Sequence, residues 1–505
     1  MRTPVRAAKI DGHVRRRGSS RRGSIRGTLD MRIPQSLGVL LLCLTCAPLA
    51  MARSGAAPDR SGEGEAAFRS LYKELVETNT TLSAGSCTLA AERMAARLKA
   101  AGYRDDELHL FAVADHPKEG GLVAELKGSD AQRKPVLLLA HIDVVEAKRA
   151  DWVRDPFTLI EEDGYFYGRG TADDKAMAAV FTDLLIRYRQ EGYRPKRTIR
   201  LALTCGEETT GSFNGANYLG TQHKDWIDAE FAINEGGHAE LDEHGKPVSF
   251  GVEAAEKVYQ DFQLETTNPG GHSSQPVPDN AIYRMAAALQ RVSRLEFPAQ
   301  LNDTTRAFFT KMATLSGGEM GAAMLAIAKD PTDAAADAIV SKDKRWHSML
   351  RTTCVATLID GGHAPNALPQ RVRANINCRL FPGVPVGSVR DALVKVIDDG
   401  QVSVTISEPR SLATPAPPLS AAVMGPVEKV AAEVFPGVPV LPTMTTGATD
   451  GIYTTAAGIP TYGISGMFSD PDLGYIHGLN ERIRVKSLLD GRRFHYKLIK
   501  LYSSQ

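Results

Sequence analysis

The sequence predicts an α/β fold in which a mostly parallel sheet flanked by helices is interrupted by a smaller ferredoxin-like α+β module. Three observations carry that prediction. Short, almost wholly apolar runs at 135–140 (PVLLLA), 198–203 (TIRLAL) and 230–233 (EFAI) read as strands buried on both faces. Between the first two, Met177, Val180, Phe181, Leu184 and Leu185 recur at helical spacing, so 175–189 predicts a helix with one apolar face. Strand, helix, strand in succession is the unit of a parallel sheet. Beyond 254 the pattern changes to the alternation of half-exposed strands, in the order strand, helix, strand, strand, helix, strand.

Each segment follows from its composition. The 505 residues suffice for two domains, and 43% apolar with 24% charged residues is the profile of an ordinary globular protein. The net charge of +1 hides an asymmetry, because residues 1–52 hold ten Lys/Arg against two Asp/Glu and the remainder is mildly acidic. An acidic body argues against a nucleic-acid-binding surface. The head runs from Arg15 to Arg17 and Arg21-Arg22 through an apolar stretch, Leu37 to Leu49, to Ala50-Met51-Ala52. That order predicts a signal peptide over 1–52, with Met1 or Met31 as the start. The apolar stretch is too short for a stable spanning helix, so the expectation is an exported protein, periplasmic or extracellular, with no stable membrane anchor.

Small, polar and charged residues over 53–65 predict a flexible mature terminus, followed by the first part of the larger domain at 66–254. The smaller domain is expected over 255–410. In it 258–264 alternates as a strand, Asp279 is positioned to cap a helix through Val292, and strands at 352–359 and 371–380 flank a Gly/Pro turn. A helix at 386–397 and a strand at 402–406 complete the order, with the Ala-rich stretch 296–350 as an insertion. The Pro-rich stretch 411–418 reads as a return linker, and 419–505 as the second part of the larger domain. Beyond the signal, Cys87, Cys205, Cys354 and Cys378 are too few and too scattered for a disulfide framework, so free buried thiols are expected. Cys354 and Cys378 lie symmetrically about a turn and read as unbonded cross-strand neighbours, although export would permit a bond.

Doubly wound sheets place their reactive groups just past the carboxyl ends of strands. The first run leads into His141-Ile142-Asp143, where alternation puts the imidazole and a carboxylate that could orient it on one side. A structural hydrogen-bonded pair is the plainer reading of those two residues alone. At the entrance to the helix stands Asp173-Asp174, where Asp174 reads as a helix cap and Asp173 as a group able to bridge two cations. The second run ends in Cys205-Gly206-Glu207-Glu208. Two desolvated neighbouring carboxylates repel unless a cation stands nearby, so one Glu could be a ligand and the other a base; a solvated loop is the alternative. Glu235 follows the third run and His477 lies far downstream. Two histidines and several carboxylates at successive sheet ends suit zinc with an open position for water.

This series of motifs resembles the di-zinc metallopeptidase family that includes acetylornithine deacetylase, succinyl-diaminopimelate desuccinylase, aminoacylase and glutamate carboxypeptidase, over nearly all of the chain from about residue 66. The resemblance implies a zinc-peptidase-like larger domain holding two Zn2+, with Co2+ or Mn2+ as substitutes. His141 and Glu235 would hold one ion, Glu208 and His477 the other, and Asp173 would bridge them. Asp143 would stand behind His141, Glu207 would be the general base, and the Asp173-Asp174 peptide would be cis.

The smaller domain would be a lid and dimerisation domain. In it Gly270-Gly271-His272-Ser273-Ser274 resembles the motif whose His272 steadies the oxyanion, often in the partner's cleft, which implies a homodimer. Asn366 and Arg379 would clamp the substrate carboxylate, with Gly447 and Thr449 of the Gly447-Ala448-Thr449-Asp450 loop beside the substrate. Asn234-Glu235-Gly236-Gly237, Leu350-Arg351-Thr352-Thr353 and the stretch from His477 to Arg482 look most like the carboxypeptidase S and N-acyl-amino-acid hydrolase branch. The insertion at 296–350 departs from the family pattern. The implied activity is hydrolysis of an amide bond next to a free carboxylate, by an exported carboxypeptidase or dipeptidase acting on small peptides. An N-acyl-amino-acid deacylase is the alternative, since both products carry the recognised carboxylate. A zinc-bound, catalytically silent peptide carrier is the alternative of another class, and Glu207 speaks against it.

Overall fold

The computed structural model describes residues 59–209 and 212–505, so the expected signal over 1–52 lies outside the described residues. The three apolar runs become the strands Val136–His141, Ile199–Thr204 and Phe231–Asn234 at the centre of a ten-stranded sheet. With Thr461–Gly463 they pair in parallel. Leu108–Val113 and His116–Leu126 extend one side antiparallel, and Pro247–Glu256 begins the other side. In register His141 stands opposite Thr204, so the carboxyl ends of the central strands meet along one rim.

The helix Lys175–Gln190 is buried on nearly every side, more than its single apolar stripe predicts. It is packed between the sheet and the helices Glu65–Glu77 and Val485–Ser504, so its charged side chains must find partners inside. Asp183 accepts from Arg492 Nε at 2.8 Å, and Lys175 Nζ donates to Thr78 O at 2.8 Å. The described part of the expected flexible terminus is also tied down: Ser61 is buried, its carbonyl accepts from Arg187 at 3.1 Å, and Asp59 pairs with Lys497 at 2.8 Å.

A second, four-stranded antiparallel sheet runs in the order Thr353–Gly361, Arg371–Leu380, Val258–Thr267, Val402–Ile406. With the helices Ala281–Val292 and Val386–Ile397 it has its own core around Phe262, Met285, Ile376 and Leu393, in the ferredoxin-like order. The first of these helices is capped by Asn280, whose side chain accepts from Ile282 N at 2.8 Å, and not by Asp279, which pairs with Arg284 instead. The insertion forms four helices, Asp303–Ser316, Gly318–Lys329, Ala334–Val340 and Lys344–Leu350. Their core reaches Leu441 and Met444 of the larger sheet and Phe381 beyond the smaller one, so the insertion wedges the two sheets together.

The cysteines correct the expectation of free thiols. Cys87–Cys205 and Cys354–Cys378 are both disulfides. Cys354 and Cys378 stand directly opposite in register with Cα atoms 4.1 Å apart. Cys87 and Cys205 meet because the helix Cys87–Ala100 begins beside the end of the strand Ile199–Thr204, a contact invisible at a separation of 118 residues. Among the described residues no helix is long and apolar enough to cross a membrane.

Candidate metal centre

The shared rim gathers the ligand-type side chains. His141 closes its strand, Glu207 and Glu208 follow theirs, Glu235 follows Asn234, and Asp173 comes from the turn before the helix Lys175–Gln190. His141 Nε2 lies 3.0 Å from Asp173 Oδ1 and 3.6 Å from Glu235 Oε1. His477 Nε2 lies 3.2 Å from Asp173 Oδ2 and 2.9 Å from Glu208. Asp173 thus turns one oxygen to each imidazole. In the groups His141-Asp173-Glu235 and Asp173-Glu208-His477 the donor atoms lie within 4.8 Å of one another. A set of imidazole nitrogens and carboxylate oxygens at this spacing fits two divalent cations of the zinc type.

The charges point the same way. Burial, reinforced by neighbouring acids, pushes the carboxyls of Glu207 and Glu235 well above their ordinary range. Burial opposes a charge on His141, but Glu235, Asp143 and Asp173 outweigh it and hold the imidazole well above its usual value. Hydrogen bonds to Asp173 and Glu208 raise His477 to about 10. So dense a cluster of acids calls for positive charge at its centre, which two cations would supply.

Buried groups hold the rim in place. His141 Nδ1 lies 3.1 Å from Asp143 O and 3.5 Å from its Oδ1, while Asp143 Oδ2 accepts from Glu208 N at 3.1 Å, so Asp143 steadies two of the clustered residues. Glu481, which sequence reasoning left without a role, is fully buried. It accepts from Arg169 at 2.7 Å, Gly170 N at 3.0 Å, Ala172 N at 2.8 Å and Asp173 N at 3.2 Å, fixing the turn that presents Asp173. Asp450, named in the sequence only as part of the Gly447-Ala448-Thr449-Asp450 loop, is buried and accepts from Thr204 at 2.8 Å and Asn214 at 2.7 Å. Asp174 sits at the cap position of its helix without capping any amide, and its Oδ2 is buried with no partner. The Asp173-Asp174 peptide is cis.

The remaining expected residues are placed differently. Thr449 lines a cavity of about 240 Å³ beside Asp173 and Glu235, and its N and Oγ1 donate to Glu256 at 3.0 and 2.9 Å. Gly447 is half-buried close by, its amide donating to Thr445 Oγ1 at 3.3 Å. His272 and Asn366 are exposed, His272 on and Asn366 next to a short two-stranded ladder that pairs Gly271–His272 with Ala367–Leu368. Arg379 is half-buried with its guanidinium 4.7 Å from the centre of the Tyr259 ring. His272, Asn366 and Arg379 line no part of the cavity at the rim.

The sequence profile of peptidase family M20/M25/M40 matches residues 137–501. The chain belongs to this family. Among M20 relatives, the probable carboxypeptidase S-like 2 of Dictyostelium discoideum is 29% identical over 392 residues, covering 75% of this chain and 74% of that protein. The human N-fatty-acyl-amino acid synthase/hydrolase PM20D1 is 28% identical over 389 residues, 74% of this chain and 75% of that protein. The crystal structure of the M20 family metallo-carboxypeptidase Sso-CP2 from Sulfolobus solfataricus has the same fold, with a TM-score of 0.64 at 17% identity, covering 86% of this chain and 99% of that one. Membership of M20 makes the chain a hydrolytic metalloenzyme.

Proposed function

We propose that this M20 enzyme is a di-zinc hydrolase cleaving an amide bond next to a free carboxylate, as an exported carboxypeptidase or dipeptidase. The observation that carries the reading is Asp173, which offers one oxygen to each of two imidazole–carboxylate pairs. His141 and Glu235 would hold one ion and Glu208 and His477 the other. Two bound Zn2+ supply Lewis-acid polarisation of the carbonyl and an acidified water.

The chain's own groups do the rest. Glu207 lies with His141 and Glu208 in a cluster of donor atoms within 4.8 Å, close enough to accept a proton from water and return it to the leaving amine. Asp143 keeps the imidazole of His141 in one orientation, and Glu481 keeps Asp173 in place. The smaller domain acts as the lid, on which the planar fork of Arg379 and the amide of Asn366 receive the substrate carboxylate. Closure brings them over the rim and excludes water. His272, exposed on its short ladder, serves the cleft of a second copy. The strand Thr353–Gly361 supports that homodimer, because it is a sheet edge with Val355, Leu358 and Ile359 at 60%, 70% and 64% exposure. Export rests on the basic, apolar and small-residue order of 1–52.

Glu207→Gln tests the reading. Turnover of dipeptides or N-acyl amino acids should fall by about 10²–10⁴-fold while metal content per chain stays that of the wild type. Unchanged turnover removes Glu207 as the base, and a wild-type chain that binds no divalent metal removes the whole mechanism. N-acyl-amino-acid hydrolysis is the second reading, favoured by the likeness to PM20D1.

A further inference from the structure

The cavity beside the metal centre contains an acid that the mechanism leaves unused. Glu253 lies on the strand Pro247–Glu256, is 6% exposed and lines the cavity together with Asp173 and Glu235. Its Oε2 receives a long hydrogen bond of 3.4 Å from Gly237 N, while among the described residues Oε1 accepts none and no cation pairs with the group. Most other charges of the cavity are answered. Asp470 pairs with Arg484 at 2.6 Å, Arg482 pairs with Asp472 at 2.8 Å, and Asp173 and Glu235 face His141. Asp174 is the exception, its Oδ2 buried without a partner at the amino end of its helix.

The chain makes room for this acid. A Cβ at Gly236 would come within 2.5 Å of Glu253 Oε2, and one at Gly463 within 2.8 Å of its Cβ. The two glycines after Glu235 carry φ of +94° and +61°, turning the chain around the carboxylate. Met177, Met467, Phe468, Ile476 and Ile483 give the cavity apolar lining. A carboxylate buried in such surroundings without a partner is costly, and an incoming cation or N–H donor relieves the cost.

We infer that this cavity holds the amino-terminal residue of an unblocked peptide, with its α-ammonium on Glu253 and an apolar side chain against that lining. The inference rests on the proposed amide hydrolysis and deepens it. With the substrate carboxylate on the lid, the acyl half must lie on the larger-sheet side. In a dipeptide the ammonium is one carbon away from the scissile carbonyl, within reach of an acid that packs against the residue following Glu235. An N-acyl amino acid has a methylene there and leaves Glu253 unpaired, so the structure favours peptides over N-acyl substrates.

Leucyl-leucine and 4-methylpentanoyl-leucine differ only by that ammonium. The wild type should prefer leucyl-leucine by about tenfold or more in kcat/KM, the worth of one charge-assisted hydrogen bond. Glu253→Gln should erase the preference by raising KM for leucyl-leucine about tenfold, with metal content unchanged and the deaminated analogue hydrolysed at nearly the wild-type rate. Glu253→Asp, a second variant that keeps the charge, should retain part of the preference. By calorimetry Glu207→Gln should bind leucyl-leucine about tenfold more tightly than the Glu207→Gln/Glu253→Gln double variant. Equal loss on both substrates, or a wild type that prefers the deaminated one, overturns the assignment while leaving amide hydrolysis intact. Hydrolysis of neither substrate by a metal-loaded wild type sinks the underlying reading instead.

Discussion

The rim of the larger sheet and the face of the smaller one use the same kinds of side chain to opposite ends. At the rim His141, Asp173, Glu208, Glu235 and His477 converge with imidazole–carboxylate distances of 2.9 to 3.6 Å, and Asp143 and Glu481 brace them from behind. On the smaller sheet Arg379 rests against Tyr259, while His272 and Asn366 are exposed at the separate two-stranded ladder. The difference teaches which part of the work needs fixed geometry. In the proposed reading cations demand ligands held in advance, whereas a substrate must first enter, so its recognition groups would sit on a body able to close afterwards.

The two disulfides offer the strongest way to break that comparison. Cys87–Cys205 closes 118 residues and ends two residues from Glu207, while Cys354–Cys378 closes 24 within the smaller sheet. Loop-closure entropy gives upper values of about 5 and about 3.5 kcal/mol. Cys87→Ser/Cys205→Ser should therefore lower the denaturation free energy more, and should also weaken metal retention by loosening the Glu207-Glu208 turn. Cys354→Ser/Cys378→Ser should leave metal content untouched. Denaturant midpoints with metal analysis decide it, and equal metal loss in both variants would mean that the rim is no more self-contained than the smaller sheet.

Next in size is Glu481→Gln. The Arg169–Glu481 pair has side chains only 3% and 1% exposed, and removing the acid strands a buried guanidinium, at a cost of about 3–5 kcal/mol. Because the same carboxylate receives the amides of Ala172 and Asp173, metal affinity should fall by about 10–100-fold. Thermal melting and competition with a zinc chelator test the two halves separately. A variant that loses stability but keeps its metal would reduce Glu481 to a structural residue.

Why some of this was legible in the sequence and some was not follows from range. His141, Glu208 and Glu235 stand at or just past the ends of strands whose apolar runs are visible locally, Asp173 opens a helix with a visible apolar stripe, and the order of elements in the smaller sheet follows from alternation between turns. Glu481, Asp450 and Glu253 carry only a weak signal, an acid within a stretch that the fold buries. Their roles depend on backbone amides and glycines supplied from distant segments, as when Gly236 and Gly463 flank Glu253. The Cys87–Cys205 bond failed to announce itself for the same reason. The number of cysteines was even, but the contact between a helix start and a strand end is made only by the assembled sheet. The helix Lys175–Gln190 misled in the other direction, since one apolar stripe does not reveal that two further helices cover the opposite face.

Arg379→Lys should give the smallest effect and the sharpest one. Lysine keeps the positive charge but loses the planar fork that receives both oxygens of a carboxylate and stacks on Tyr259. If recognition is the task of the smaller sheet, KM for leucyl-leucine should rise about tenfold, kcat should stay within about threefold, and metal content should not change. A fall in kcat at constant KM would instead place Arg379 in the chemical step, joining the two sheets into one catalytic apparatus. Loss of metal would be the more radical result, because no atom of Arg379 borders the cavity at the rim. The KM-only outcome is expected because, in the proposed reading, the smaller domain contributes on binding, after the rim has already been built by the strands beneath it.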